Sequence, residues 1–288
     1  MDSGQLIEDA LTAALALTAT EACPPQLAAA LHHAVFPGGQ RLRPRLVYAV
    51  AQACGTADSA AVAAAAASIE LIHCASLVHD DLPCFDDAAT RRGRPSVHAA
   101  FGQPIAVLVG DTLIVLAFET LARHLSRYPT RLQKLIGIVG RAAGAPYGIC
   151  AGQAFESEPE IDLAAYHQAK TGALFAAASA AGAAASGFDA EAWRHLGACV
   201  GEAYQIADDI RDAVSTMDEA GKPVGRDAAL GRPTAANLGI PGALARLDAL
   251  IAEATDSIPA CPGREKLAKA LTQQAERFLP PQYGRRAA

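Results

Sequence analysis

The chain has 288 residues, 51% of them hydrophobic and only 5% aromatic, with a formal net charge of −6. That acidity argues against a nucleic-acid partner, which would want a basic stripe, and the longest apolar runs are broken by Glu70 and Asp111 before they reach the length of a membrane span. The seven cysteines, Cys23, Cys54, Cys74, Cys84, Cys150, Cys199 and Cys261, form no C-x-x-C pair, so zinc is not expected and a reducing cytoplasm is.

Much of the apolar content is alanine, the strongest helix former, and short Gly/Pro breaks separate long helical runs. The N-terminus, MDSGQLIEDA, shows no basic stretch leading into an apolar one, so no signal peptide is expected. A first helix is predicted over Gln5–Thr18 and a second from Pro24-Pro25 onward, carrying Leu27, Leu31 and Val35. Pro37-Gly38-Gly39 breaks it. Arg41, Arg43 and Arg45 then crowd a helix start, where backbone amides and the helix dipole suit an anion; a solvated basic loop is the alternative. Helices follow over Arg45–Cys54, Asp58–Leu82, Ile105–Ser126, Arg131–Ala154, Asp162–Gly187, residues 189–214, Pro241–Ser257 and Gly263–Leu279. After residues 189–214 and before Pro241, the glycines and prolines of GKPVGRDAALGRPT suit a mobile cover. No strand alternation or repeat interrupts this pattern, so the expected fold class is all-α, with residues 1–288 as one domain.

Two stretches carry unusual charge. Asp80, Asp81, Asp86 and Asp87 crowd eight positions after the apolar run Ile69–Val78, and Arg91, Arg92 and Arg94 follow. On one unbroken helix Asp80 and Asp86 would point to different faces, but Pro83 ends the helix near Leu82 and lets the chain fold back. In YQIADDIRD, Asp208 and Asp212 stand at i and i+4, with Asp209 beside them. Like charges at that spacing repel. Two clusters facing across a cleft, with Mg²⁺ and a diphosphate between them, would offset the repulsion, because Mg²⁺ takes carboxylate and phosphate oxygens. His73, two turns before Asp80, and Lys170-Thr171, inside an alanine-rich run, suit phosphate; the plainer alternatives are a core histidine and a snorkelling lysine.

These residues resemble the trans-isoprenyl diphosphate synthases of the polyprenyl synthetase family over nearly the whole chain. The first aspartate-rich motif is Asp80-Asp81-Leu-Pro-Cys-Phe-Asp86 and the second Asp208-Asp209-Ile-Arg-Asp212. GGxRxRP stands at Gly38–Pro44, RRG at Arg91–Gly93, GQ at Gly152-Gln153, KT at Lys170-Thr171 and GKxxGxD at Gly221–Asp227. ICAGQAFESE and AYHQAKTGALF look most like the geranylgeranyl diphosphate synthases of carotenoid and bacteriochlorophyll synthesis in photosynthetic bacteria.

The resemblance implies an antiparallel helix bundle around a deep cavity, a homodimer, and Mg²⁺-dependent head-to-tail condensation of isopentenyl diphosphate with an allylic diphosphate. Three Mg²⁺ per site would be held by Asp80, Asp81, Asp86, Asp208 and Asp212. Arg91, Lys170 and Lys222 would bind the allylic diphosphate, and Arg43, His73 and Arg92 isopentenyl diphosphate. Gln40, Thr171, Gln205 and Arg232 fall in the same substrate-binding set, and Gln153 would sit close to the reacting carbons. The chain departs from the family pattern in three places: Gln40 replaces a lysine, Glu156 an aspartate, and in the KxTYP segment Arg232 replaces the lysine and Ala235-Ala236 the Tyr-Pro. Small residues at Ala75 and Ser76 imply a C20 product, where a bulky aromatic would stop the chain at C15. A terpene cyclase would not need a second, metal-free diphosphate site, and a non-catalytic partner subunit would have no use for so many costly acids.

Overall fold

The computed structural model describes residues 3–55, 58–214 and 239–279. Thirteen α-helices make up this part of the chain: α1 Ser3–Leu15, α2 Pro25–Val35, α3 Leu42–Ala53, α4 Ser59–Asp80, α5 Val97–Phe101, α6 Gln103–Leu125, α7 Pro129–Ala143, α8 Ile149–Ala154, α9 Leu163–His167, α10 Ala173–Ala185, α11 Arg194–Val214, α12 Gly239–Asp256 and α13 Arg264–Phe278. Among the described residues the only strands are the two-residue β1, Thr90–Arg91, and β2, Arg94–Pro95, paired antiparallel. The fold is all-α, as its composition predicts.

Helices α4 and α10 form the centre. Every residue of α10 is buried, and α4 is buried along most of its 22 residues. A helix apolar on all sides belongs in a core. α4 packs against α1, α3, α6 and α10, and α10 packs in turn against α3, α7 and α11; α12 lies along α11. Alanine and glycine let these axes approach closely. A Cβ added at Gly182 of α10 would meet the Val47 carbonyl oxygen of α3 at 2.5 Å, and one at Gly197 of α11 would meet the Phe175 carbonyl oxygen at 2.3 Å.

Two predicted helices are broken. The expected Arg131–Ala154 run stops at Ala143 and resumes at Ile149, because Pro146 cannot donate a helical hydrogen bond and Gly144 and Gly148 flank it. The expected Asp162–Gly187 run keeps its Asp162 cap, whose Oδ1 accepts from the Ala165 amide at 3.2 Å. It is interrupted, however, by a π-helical turn at Gln168–Gly172. Such turns are uncommon and gather at functional sites.

The arginine-rich start of α3 is not a uniform anion site. Arg41 has a positive φ of 53° and is buried, giving its guanidinium to Glu8, to Glu70 at 2.8 Å and to the Val35 carbonyl. Arg45 is exposed and bonds the Gln40 carbonyl at 3.2 Å. Glu70, expected to interrupt an apolar run, is thus paired inside the core. α4 and α6 are long and apolar enough by length and composition to cross a membrane; the apolar window of α4 is 78% buried within the fold and that of α6 44%.

Gly182→Ala should overpack the α3–α10 contact and cost about 1–3 kcal/mol. Gly137→Ala, at an exposed position of α7 with open space around its Cβ, should instead stabilise by up to about 1 kcal/mol through helix propensity. Urea unfolding of the two variants measures both.

Candidate active site

The chain leaves α4 by folding back on itself. After Asp81 caps the helix, the Asp86 amide bonds the Asp80 carbonyl at 2.9 Å and the Ala88 amide bonds the Asp81 carbonyl at 3.1 Å. This reversal, predicted from Pro83, brings Asp80 and Asp86 to the wall of one large cavity of about 720 Å³. The two following strands are joined by Arg92-Gly93, with φ of 55° and 71°, the positive angles a tight two-residue hairpin turn requires. That turn sets the directions of three arginines. Arg91 reaches back to Asp81, Arg94 holds the Phe36 carbonyl and the His33 ring, and Arg92 is left exposed beside Gly39.

The opposite wall comes from α8, the π turn and α11, which contribute Gln153, Lys170, Thr171, Gln205, Asp208 and Asp209 to the same cavity. Glu156, just after α8, gathers three donors: Gln153 Nε2 at 2.9 Å, Tyr166 Oη at 2.7 Å and Lys170 Nζ. Lys170 also lies 3.7 Å from Asp80 Oδ1, so it stands between carboxylates of both walls. Thr171 donates to Gln205 Oε1 at 3.1 Å and Gln205 donates to Asp209 Oδ1 at 2.9 Å, while Arg211 pairs with Asp208 at 3.1 Å.

Among the described residues, two buried atoms in this cavity lack hydrogen-bond partners: Asp80 Oδ1 and Arg43 Nε. A buried carboxylate oxygen without a donor wants a cation, and a buried guanidinium N–H wants an anion. Asp80, Asp86, Asp208 and Asp209 therefore fit Mg²⁺ by donor type and position. Arg43 donates Nη1 to His73 Nε2 at 3.3 Å and stacks over Phe175 at 4.5 Å. Burial and then the neighbouring arginines, Arg43 first, hold His73 well below the usual histidine range. It is thus a neutral acceptor that orients Arg43, more than a second cation.

Several expected residues sit elsewhere. Asp81, expected to bind metal, is only 2% exposed, lies outside the cavity and is occupied by Arg91, whose Nε sits 3.0 Å from Oδ1. The gap between Asp81 and Asp80 is one helical residue, which rotates their side chains by about 100°. Gln40 is exposed and does not line the cavity. Ala75 and Ser76 both line it. Lys222 and Arg232, with the expected cover, lie outside the described residues, as does the side chain of Asp212. Asp209, expected only as a neighbour of Asp208 and Asp212 in the second cluster, lines the cavity, as do Tyr166 and His79, to which the sequence assigns no role. Tyr166 carried a signal, standing at i and i+4 with Lys170.

Residues 24–244 match the sequence profile of the family described as polyprenyl synthetase. The chain belongs to the polyprenyl synthetase family. It is 51% identical to a geranylgeranyl diphosphate synthase of Cereibacter sphaeroides over 283 residues, 98% of each chain. It is also 51% identical to a protein of the same name from Rhodobacter capsulatus, over 97% of each. A crystal structure of a geranyltransferase from Helicobacter pylori, complexed with magnesium and isoprenyl diphosphate, is 29% identical, with a TM-score of 0.78 over 96% of this chain and 98% of that one.

In this polyprenyl synthetase Asp80 feels the cavity most. Burial pushes its carboxyl up to about 6, with Lys170 opposing and Asp86 adding to the rise. A carboxyl raised on folding favours the folded state below its unfolded value of about 3.9, and that contribution is lost as pH rises through about 6. In metal-free protein at about pH 8, Asp80→Asn should therefore be more stable than wild type by about 1–3 kcal/mol. At about pH 4 the difference should vanish. Denaturant melts in EDTA at both pH values measure this.

Proposed function

We propose that this polyprenyl synthetase performs Mg²⁺-dependent head-to-tail condensation of isopentenyl diphosphate with an allylic diphosphate, with geranylgeranyl diphosphate (C20) as the main product. The observation that carries the reading is one cavity with two buried atoms of opposite kind that lack a hydrogen bond: Asp80 Oδ1 within a carboxylate group and Arg43 Nε beside neutral His73. A metal-bound diphosphate and a metal-free one meet those two needs. A cyclase using a single diphosphate would leave Arg43 unanswered.

When bound, Mg²⁺ supplies Lewis acidity that neutralises charge growing on the leaving diphosphate; Asp80, Asp86 and Asp208 would hold it, with Asp209 and Asp212 nearby. Lys170, held by Glu156 3.7 Å from Asp80, would meet that same diphosphate, and Tyr166 donates to Glu156 as well. Arg43 would hold isopentenyl diphosphate, with Arg92 at the rim. Ile72, Ala75, Ile114 and Ile149 form apolar wall that excludes water from an allylic cation. The Gln153 side-chain carbonyl is free to face positive charge while its amide is given to Glu156.

Assembly as a homodimer is part of this reading; it is supported by the apolar side chains that α6 leaves at the surface, Val107, Leu108 and Val115, the last 64% exposed. A cytoplasmic location is supported by seven free thiols.

Purified protein with Mg²⁺, labelled isopentenyl diphosphate and C5, C10 or C15 primers should yield mainly C20 diphosphate. Asp80→Ala, Asp86→Ala and Asp208→Ala should each cut turnover by orders of magnitude, whereas exposed Asp189→Ala should not. Absence of any chain extension from all three primers would overturn the assignment.

Product length is read from the wall before Asp80. Ala75→Tyr places a large ring in the cavity and should shift the main product from C20 to C15 with turnover kept. A destabilised Ala75→Tyr protein still making C20 would show that Ala75 does not limit the chain; chromatography of hydrolysed products distinguishes the two.

A further inference from the structure

His195 and Cys199 stand one turn apart on α11, and Glu253 of α12 comes to meet them. His195 Nε2 lies 2.9 Å from Glu253 Oε1 and 3.6 Å from Cys199 Sγ, and the three donor atoms all fall within 4.8 Å of one another. None of the three lines the catalytic cavity. At about 100° per residue, Cys199 is about 180° around α11 from Asp208, so the cluster lies on the back of the helix whose front carries the second aspartate motif.

The donor set is one nitrogen, one sulfur and one oxygen. Tetrahedral zinc with Zn–N near 2.0 Å and Zn–S near 2.3 Å requires an N···S separation of about 3.5 Å, close to the distance already present. The His195–Glu253 pair would open by roughly half an ångström, which two side chains at the surface can accommodate. Their side chains are 59% and 47% exposed, which leaves a path from solvent, while Cys199 is buried beneath them. Burial, then Glu253 and Glu202, push the Cys199 thiol up to about 11. A coordinated divalent cation would reverse that, since a thiol bound to such an ion is deprotonated outright. Arg246, paired with Glu202 at 2.7 Å, supplies positive charge at the edge of the cluster but no donor atom to a metal.

We propose that His195, Cys199 and Glu253 form a three-ligand site for Zn²⁺, with water in the fourth position, that clamps α12 to the back of α11. Sulfur and imidazole favour zinc, whereas Mg²⁺ prefers all-oxygen sites. The clamp is therefore chemically separate from the aspartate site.

The test uses the full-length protein, stripped with EDTA and titrated with Co²⁺ near neutral pH. The expected result is one equivalent that gives a thiolate-to-cobalt charge-transfer band in the near ultraviolet, removed by Zn²⁺ and untouched by excess Mg²⁺. The catalytic aspartates cannot produce that band because they offer no sulfur. Cys199→Ser and His195→Gln should abolish it, Glu253→Gln should weaken cobalt binding by more than about tenfold, and Cys84→Ser and Cys150→Ser should leave it intact. Saturating Zn²⁺ should raise the Tm of wild type by about 5 °C but not that of His195→Gln, whose surface position leaves the core unchanged. No band in wild type, or the same band in Cys199→Ser, would overturn the proposal.

Discussion

Lys170 stands between Glu156 of one wall and Asp80 of the other, and the electrostatics of the cavity turn on that position. A carboxylate at the end of a buried helix is expensive to ionise, and Asp80 has a lysine near it without a hydrogen bond to satisfy Oδ1. The acids that face this cavity are thus partly neutralised by the protein's own lysine. One ammonium is shared between acids that a metal would otherwise screen. The π turn matters because it sets Lys170 and Thr171 into the cavity within a run that α10 continues as fully buried helix.

The core around this site is built for close approach. Alanine and glycine on α4 and α10 draw the axes together, and the saved volume leaves room for a cavity between α4, α8 and α11. Large side chains there would fill the space that a growing hydrocarbon needs. The Arg41–Glu70 pair shows the opposite strategy halfway along α4, where buried charges answer each other and nothing is left for a ligand. Buried Arg41 and half-buried Arg43, separated by one residue, therefore have different fates. Arg41 has two carboxylates and a carbonyl; Arg43 has a neutral histidine, an aromatic face and an unpartnered Nε.

Charge placement also explains why the two aspartate motifs are used unequally. Asp80 and Asp86 converge because the chain reverses after α4. Asp81 points the other way and holds Arg91, fixing the hairpin that presents Arg92. On α11, adjacent Asp208 and Asp209 both reach the cavity because the helix presents its side there, and each already has a basic or amide neighbour.

Helix content, the break at Pro83, the gathering of acids from both clusters on one cavity and the family itself are legible in the sequence, because each rests on local residue chemistry or fixed spacing. Helical periodicity does not reveal a π turn, so Lys170 was legible as a residue type but not as a bridge between the walls. Nor could spacing tell Asp81 from Asp80, or Arg41 from Arg43, since which neighbour a side chain faces depends on helices distant in the chain. The cysteine count argued against zinc because it tests only for pairs along the chain. Glu253 lies 54 residues beyond Cys199, and only the packing of α12 on α11 brings carboxylate, imidazole and thiol to one point.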